Sequence, residues 1–386
     1  MNFKEIIKLR HDLHSLAEIS GREKQTAQKV KQFLEPLRPL HIVENIGGYG
    51  LAAIFDSGKS GSTYMFRAEL DALPLEEEID IDYASLNPKV SHKCGHDGHM
   101  AILLGLAGII NSRRDLWKGK VILIFQPAEE TGTGADLVWS DVKFKLLKPD
   151  FVFALHNLPG YPVNSIIIKT GLFCSASQGL VVKLKGRTSH AGHPEQGNSP
   201  LPAMVNLITF LQGLKDRVIG YNRSALVTVI HLQLGERAFG TNPGEGQVMI
   251  TLRAHQQQDL DLMKSAIAQK VRKLAEIYDL SCSLDWVEYF PPVHNDELCV
   301  DKVHQAAHQL KLNIITQEQP FAWTEDFSHF TRNIPGVLFG LGAGEDYPPL
   351  HHRNYDFPDS LIETGINLWW NIILNGELSS STEIAR

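Results

Sequence analysis

Val121-Ile122-Leu123-Ile124-Phe125-Gln126-Pro127-Ala128-Glu129-Glu130 places a short β-favouring apolar run directly before a proline and two adjacent carboxylates. A run of this length, closed by proline, reads as a strand rather than a helix. Similar runs occur at Leu51–Phe55, Thr63–Arg67 and Phe151–Leu155. Helical patterns lie among them: Lys4–Glu18, with Ile6, Leu9, Leu13 and Leu16 on one face, then Lys24–Leu37 and Ala101–Asn111. Strands alternating with helices imply an α/β architecture with a sheet that is parallel at least in part. In such sheets ligands bind beyond the carboxyl ends of the strands. Asp71, Glu129–Glu130 and His156 all follow predicted strands, so chemistry is expected there.

The pattern changes near Ser177. Gly179–Leu184 reads as a strand, Leu201–Leu214 as a helix, Leu226–Leu234 and Val248–Arg253 as strands, Asp259–Tyr278 as a helix and Ser281–Val287 as a strand. That β-α-β-β-α-β order matches a ferredoxin-like unit. After Pro291-Pro292 the character of the first 176 residues returns, with a strand at Val337–Leu341 and a helix at Ser360–Leu374. Residues 177–290 are therefore expected to form a domain inserted into a larger one made of 1–176 and 291–386. A chain of 386 residues is long enough for two cores.

Composition excludes several classes. The formal net charge is −7 with both signs scattered, which gives no basic stripe for nucleic acid or an anionic membrane. The opening Met1-Asn2-Phe3-Lys4-Glu5 has no apolar h-region, so no signal peptide is expected. The longest apolar stretches reach about half of the roughly 20 residues that span a bilayer. Four cysteines, Cys94, Cys174, Cys282 and Cys299, are too few for a disulfide scaffold. A cytoplasmic location with reduced thiols is the expectation.

Ser91-His92-Lys93-Cys94-Gly95-His96-Asp97-Gly98-His99 crowds thiol, imidazole and carboxylate into one glycine-punctuated loop before a helix. Cysteine and histidine suit borderline and soft transition metals. A cysteine nucleophile would leave the Glu129–Glu130 pair unexplained, so metal binding is the better reading. Of that pair, one carboxylate can ligate metal while its neighbour takes a proton from water. His156 follows a strand, and Pro348-Pro349-Leu350-His351-His352 adds imidazole after Val337–Leu341. These donors exceed the four that one structural zinc requires and would serve two ions roughly 3.5–4 Å apart.

The ordered motifs resemble those of the aminoacylase/carboxypeptidase superfamily of dinuclear metallohydrolases. The nearest subgroup holds hippurate hydrolases, N-acyl-L-amino-acid amidohydrolases and auxin-conjugate hydrolases. Arg10-His11-Asp12-Leu13-His14, Arg67-Ala68-Glu69-Leu70-Asp71-Ala72-Leu73-Pro74, Cys94-Gly95-His96-Asp97-Gly98-His99 and Gln126-Pro127-Ala128-Glu129-Glu130 carry the likeness, which covers nearly the whole chain. The resemblance implies a metallopeptidase-like catalytic domain and an inserted lid and dimerisation domain. It implies Cys94, His96, Glu130, His156 and His351 as metal ligands, with Cys94 bridging as thiolate. Glu129 would be the general base and acid, and Asp71 would orient a ligand histidine. His190, in Gly186-Arg187-Thr188-Ser189-His190-Ala191-Gly192-His193-Pro194, would stabilise the oxyanion. Asn242 and Arg253 would bind substrate, a guanidinium fork suiting a carboxylate. Glu69, Lys93 and Trp323 depart from the family pattern, and His352 stands beside His351.

The expected activity is therefore hydrolysis of N-acyl-L-amino acids, hippurate-like or related, by a water bridging two ions of Zn, Mn, Ni or Co. A carboxypeptidase or dipeptidase is the alternative among hydrolases. A catalytically silent metal-binding protein on the same fold is the alternative of another class. The expected partners are the small substrate and a second copy of the chain joined at Leu226–Leu234, with no nucleic acid and no membrane.

Overall fold

Each apolar run becomes a strand of one eight-stranded mixed sheet. The structure, a computed structural model, describes residues 2–375; Met1 and 376–386, part of the expected catalytic domain, lie outside the described residues. Strands follow the order His41–Ile46, Gly50–Asp56, Lys120–Gln126, Thr63–Glu69, Phe151–Pro159, Gly336–Gly344, Ile166–Ile168 and Ile314–Thr316. The middle four, from Lys120–Gln126 to Gly336–Gly344, are mutually parallel. Their carboxyl ends point the same way, so the residues following them gather at one edge. The outer pairs His41–Ile46 with Gly50–Asp56, and Gly50–Asp56 with Lys120–Gln126, are antiparallel.

Helices cover this sheet. Trp369 of the helix Ser360–Asn375 stacks near Phe66 and Phe339, with ring centroids 4.9 and 5.2 Å away. The helix expected from Ala101 begins five residues sooner and spans His96–Ser112, almost wholly buried. His96 therefore sits on a helix's first turn rather than in a free loop. The helix expected to reach Leu37 stays α-helical only to Leu34 and closes as a 3₁₀ turn over Glu35–Leu37. Pro36 at that point removes a backbone donor.

Two compact units share the chain. Among the described residues, one runs to Phe173 and includes Val293–Gln319 and 326–375; the other is Cys174–Pro292 with Pro320–Glu325. In the second unit four antiparallel strands order as Ala225–Leu234, Glu245–Ala254, Ala176–Lys185 and Ser281–Phe290. Burial alternates along Glu245–Ala254, so Val248, Ile250 and Leu252 face the helices Leu201–Gln212 and Gln257–Ile277. Ala225–Leu234 is an edge strand with Leu226, Ile230 and Leu232 exposed. The short segment Phe321–Trp323 joins this unit through hydrogen bonds from the Ser175 N–H and hydroxyl to the Phe321 carbonyl, 3.0 and 2.7 Å. Among the described residues no helix is long and apolar enough to cross a membrane. Among the described residues, Cys94, Cys282 and Cys299 are free thiols.

Candidate metal centre

The Cys94 loop turns at Gly95, whose φ is +88°. A side chain there would be strained by that backbone, and its Cβ would lie 2.6 Å from Asn157 Oδ1. Cys94 is buried and its Sγ lies 3.4 Å from His156 Nε2. The His156 Nδ1–H donates to the Asn157 carbonyl at 2.9 Å. His96 does the same with the Asp71 carbonyl, also at 2.9 Å. A carbonyl only accepts, so both rings carry a proton on Nδ1 and turn Nε2 toward the cluster. His96 Nε2 is buried with no hydrogen-bond partner, 3.8 Å from Glu129 Oε2 and 3.9 Å from Glu130 Oε1.

Glu129 and Glu130 leave the end of strand Lys120–Gln126 through a tight turn with Ala128 at φ +52°. Gly134 closes that turn, because a Cβ there would meet the Pro127 carbonyl at 1.7 Å. The Glu130 N–H donates to Asp71 Oδ2 at 3.0 Å, and Ser20 donates to the same oxygen at 2.7 Å. Burial opposes the charge on Asp71, yet His96, that N–H and Ser20 hold its carboxyl below the usual range. His351 Nε2 lies 3.7 Å from Glu130 Oε2. His352 instead accepts from the Asn354 N–H through Nδ1 at 3.2 Å, so His351 is the imidazole that joins the cluster.

Three-donor groups emerge in which every ligand atom is within 4.8 Å of the others: Cys94 with His96 and His156, Cys94 with Glu130 and His351, and His96 with Glu129 and Glu130. Cys94 is common to the first two. Burial and the Glu130 and Glu129 carboxylates push its thiol well above the usual range. His96 is pushed up to about 10: burial resists, but Glu69, Asp71 and Glu130 outweigh it. Sulfur, nitrogen and oxygen donors around a buried, unsatisfied imidazole nitrogen fit divalent transition ions.

In the second unit, Asn242 and His190 lie on a two-stranded ribbon in which Asn242 pairs with Ser189 and Thr241 with His190. The Asn242 amide donates to Ser189 Oγ at 3.2 Å. Arg253 lies on the larger sheet, partly buried, and its guanidinium donates to the Ala322 carbonyl at 2.9 Å.

A sequence model for peptidase family M20/M25/M40 matches residues 65–375. The chain belongs to this family. This M20/M25/M40 chain is 31% identical to an N-acetyl-L-cysteine deacetylase of Bacillus subtilis, over 93% of its own length and 85% of the relative's. It is 29% identical to an N-acetyldiaminopimelate deacetylase of Bacillus cytotoxicus, over 95% and 96% of the two chains. It also resembles the crystal structure of a dinuclear metal-binding M20 peptidase of Bacillus subtilis, with a TM-score of 0.80, 25% identity and 98% of each chain covered. The mixed α/β fold of this M20/M25/M40 chain is thus that of its relatives.

Sequence reading gives no role to several residues that the structure draws around the centre. Glu69 and Asn157 engage both ring nitrogens of His99, at 2.7 and 2.5 Å. Glu69 also pairs with Arg67, which bonds Asp326 at 2.8 Å. Beyond the Cys94 loop, His14 bonds Asp97 at 2.8 Å and Glu77 at 2.9 Å, and Arg10 bonds Asp97 and Asp356 at 3.0 and 2.8 Å. Arg10 fills the His14–Asp97–Asp356 group that would otherwise suit an ion. The signals available in sequence are Asp97 and His99 within the Cys94 motif, the Arg10–His14 and Arg67–Pro74 motifs, and Glu69 as a departure from the family pattern.

Proposed function

We propose that this protein is a metal-dependent amidohydrolase that splits N-acyl-L-amino acids into a carboxylate and a free amino acid. The observation that carries the reading is Cys94, which belongs to two three-donor groups, one with His96 and His156 and one with Glu130 and His351. Those five residues would then hold two divalent ions of Zn, Mn, Ni or Co, with Cys94 contributing as thiolate. The names of the curated relatives support short acyl groups such as acetyl, ahead of hippurate-like aromatic ones.

Bound there, such ions acidify water and draw electron density from an amide carbonyl. Glu129 accepts the proton of the water that adds to the carbonyl carbon. It then delivers that proton to nitrogen as the C–N bond breaks. Asp71 keeps His96 in its ligand tautomer through its main-chain carbonyl. His190 is assigned to the oxyanion, and Asn242 and Arg253 to the carboxylate of the substrate. A cytoplasmic location is supported by the free thiols of Cys94, Cys282 and Cys299. The exposed edge strand Ala225–Leu234 supports a homodimer, which light scattering on the pure protein tests.

Metal-stripped protein reloaded with each ion in turn is offered N-acetyl amino acids, hippurate and dipeptides. Acyl amino acids are expected to turn over, and Glu129→Gln to lower kcat roughly a hundred- to ten-thousand-fold while still binding two ions. Full activity in Glu129→Gln removes the proposed base. Turnover confined to dipeptides replaces the proposed substrate class.

A further inference from the structure

Lys93 is a wholly buried lysine directly before Cys94. Lysine is almost never fully buried unless its charge is met. Here the ammonium meets Glu77, and it also donates to the Tyr355 carbonyl at 2.6 Å. Glu77 is itself fixed by His14 at 2.9 Å and by the Ser85 N–H at 3.0 Å. At its other end, the Lys93 main-chain carbonyl accepts the His351 N–H at 2.8 Å. One residue thus grips the 351–355 turn at both ends.

That turn needs a grip. His351 lies outside any helix or strand, its side chain is 53% exposed and its backbone sits at φ +63°. The other four donors of the cluster are carried on or beside strands and a helix. An imidazole on an irregular turn has more freedom to leave the cluster, and orienting contacts of this kind typically alter metal affinity about 10- to 100-fold.

We infer that Lys93 is a positioning residue for His351: it holds the 351–355 turn so that His351 Nε2 stays beside Glu130 and Cys94, completing the outer half of the metal centre. The inference rests on the reading of His351 as a ligand. Its action runs through hydrogen bonds at two points of the turn, so it should vanish when His351 can no longer ligate.

The test titrates the metal-stripped full chain with Co²⁺, read by visible absorption and by bound metal after dialysis. Wild type is expected to bind two ions, and His351→Ala to lose affinity for one. Lys93→Met is expected to weaken that same ion at least tenfold and leave the other unchanged, with Lys93→Arg recovering most of the loss. In the His351→Ala background, Lys93→Met should weaken binding less than twofold further. Wild-type affinities in Lys93→Met, or additive losses in the double variant, overturn the inference. Two ions of native affinity in His351→Ala overturn the ligand reading instead. If Lys93→Met does not fold, Glu77→Gln takes its place, since it removes the charge that holds the ammonium. A loss of threefold or more is then expected, and an unchanged titration overturns the inference.

Discussion

Backbone conformation and side-chain chemistry meet at Gly95. Its positive φ aims the Cys94 and His96 side chains into one space, and the room for a Cβ is already taken by Asn157. Gly95→Ala is therefore expected to lower stability by about 1–3 kcal/mol, the usual range for a strained backbone position. It should also weaken metal binding by displacing Asn157, whose carbonyl orients His156. Thermal unfolding of the metal-free protein and a Co²⁺ titration check both, and unchanged values in both would mean that the loop relaxes without cost. The Cys94–His99 cluster is legible in sequence because its donors are contiguous. The partners of Lys93 are not, because Glu77 and Tyr355 are 16 and 262 positions away and carry no periodic signal. Glu69 and Lys93 stand out as departures from the family pattern, but only the fold reveals that both are buried and paired.

Elements as well as side chains are pinned by buried charge. The helix Phe3–Ser15 contributes Arg10 and His14, and the helix His96–Ser112 contributes Asp97 between them. Burial disfavours a charged His14, yet Asp97 and Glu77 outweigh it and push its pKa up to about 9. A group raised in this way from 6.5 stabilises the fold fully below pH 6.5 and loses that contribution as pH rises through 9. The amount at stake is on the order of 3 kcal/mol. The thermal midpoint of the metal-free protein should exceed that of His14→Asn at about pH 6, with the gap narrowing toward about pH 9.5. A constant gap would remove the charge-based account. Glu77 behaves oppositely. Burial raises it, but His14 and Lys93 bring it down to about 2, so its contribution is present above pH 4.5 and fades as pH falls toward 2. Strand cores are readable from apolar runs, whereas strand and helix ends are not. Gly336–Gly344 and Ser281–Phe290 continue past the residues whose composition announces them, because main-chain pairing persists there without an apolar side-chain pattern.

For the molecule as a whole, metal loading at the proposed ligands is expected to be coupled to proton release. The metal-free centre keeps a proton on Cys94 and a second on His96, both groups being pushed up. Two ions ligated by these residues must displace up to two protons. The combined affinity is then expected to rise with pH by about a hundredfold per unit between roughly pH 6 and 8. Calorimetry in buffers of different ionisation enthalpy reads the number released, and a count of zero would sink the coupling. The inserted ferredoxin-like unit is visible in the order of its strands and helices. Its claim on Pro320–Glu325 is not, since that segment joins through main-chain bonds to Ser175. A ribosome emits Cys94, His96, Glu130 and His156 well before strand Gly336–Gly344 and the His351 turn, with the whole second unit made in between. On the proposed ligand set, a nascent chain can therefore hold only a partial coordination sphere until the His351 turn has been made.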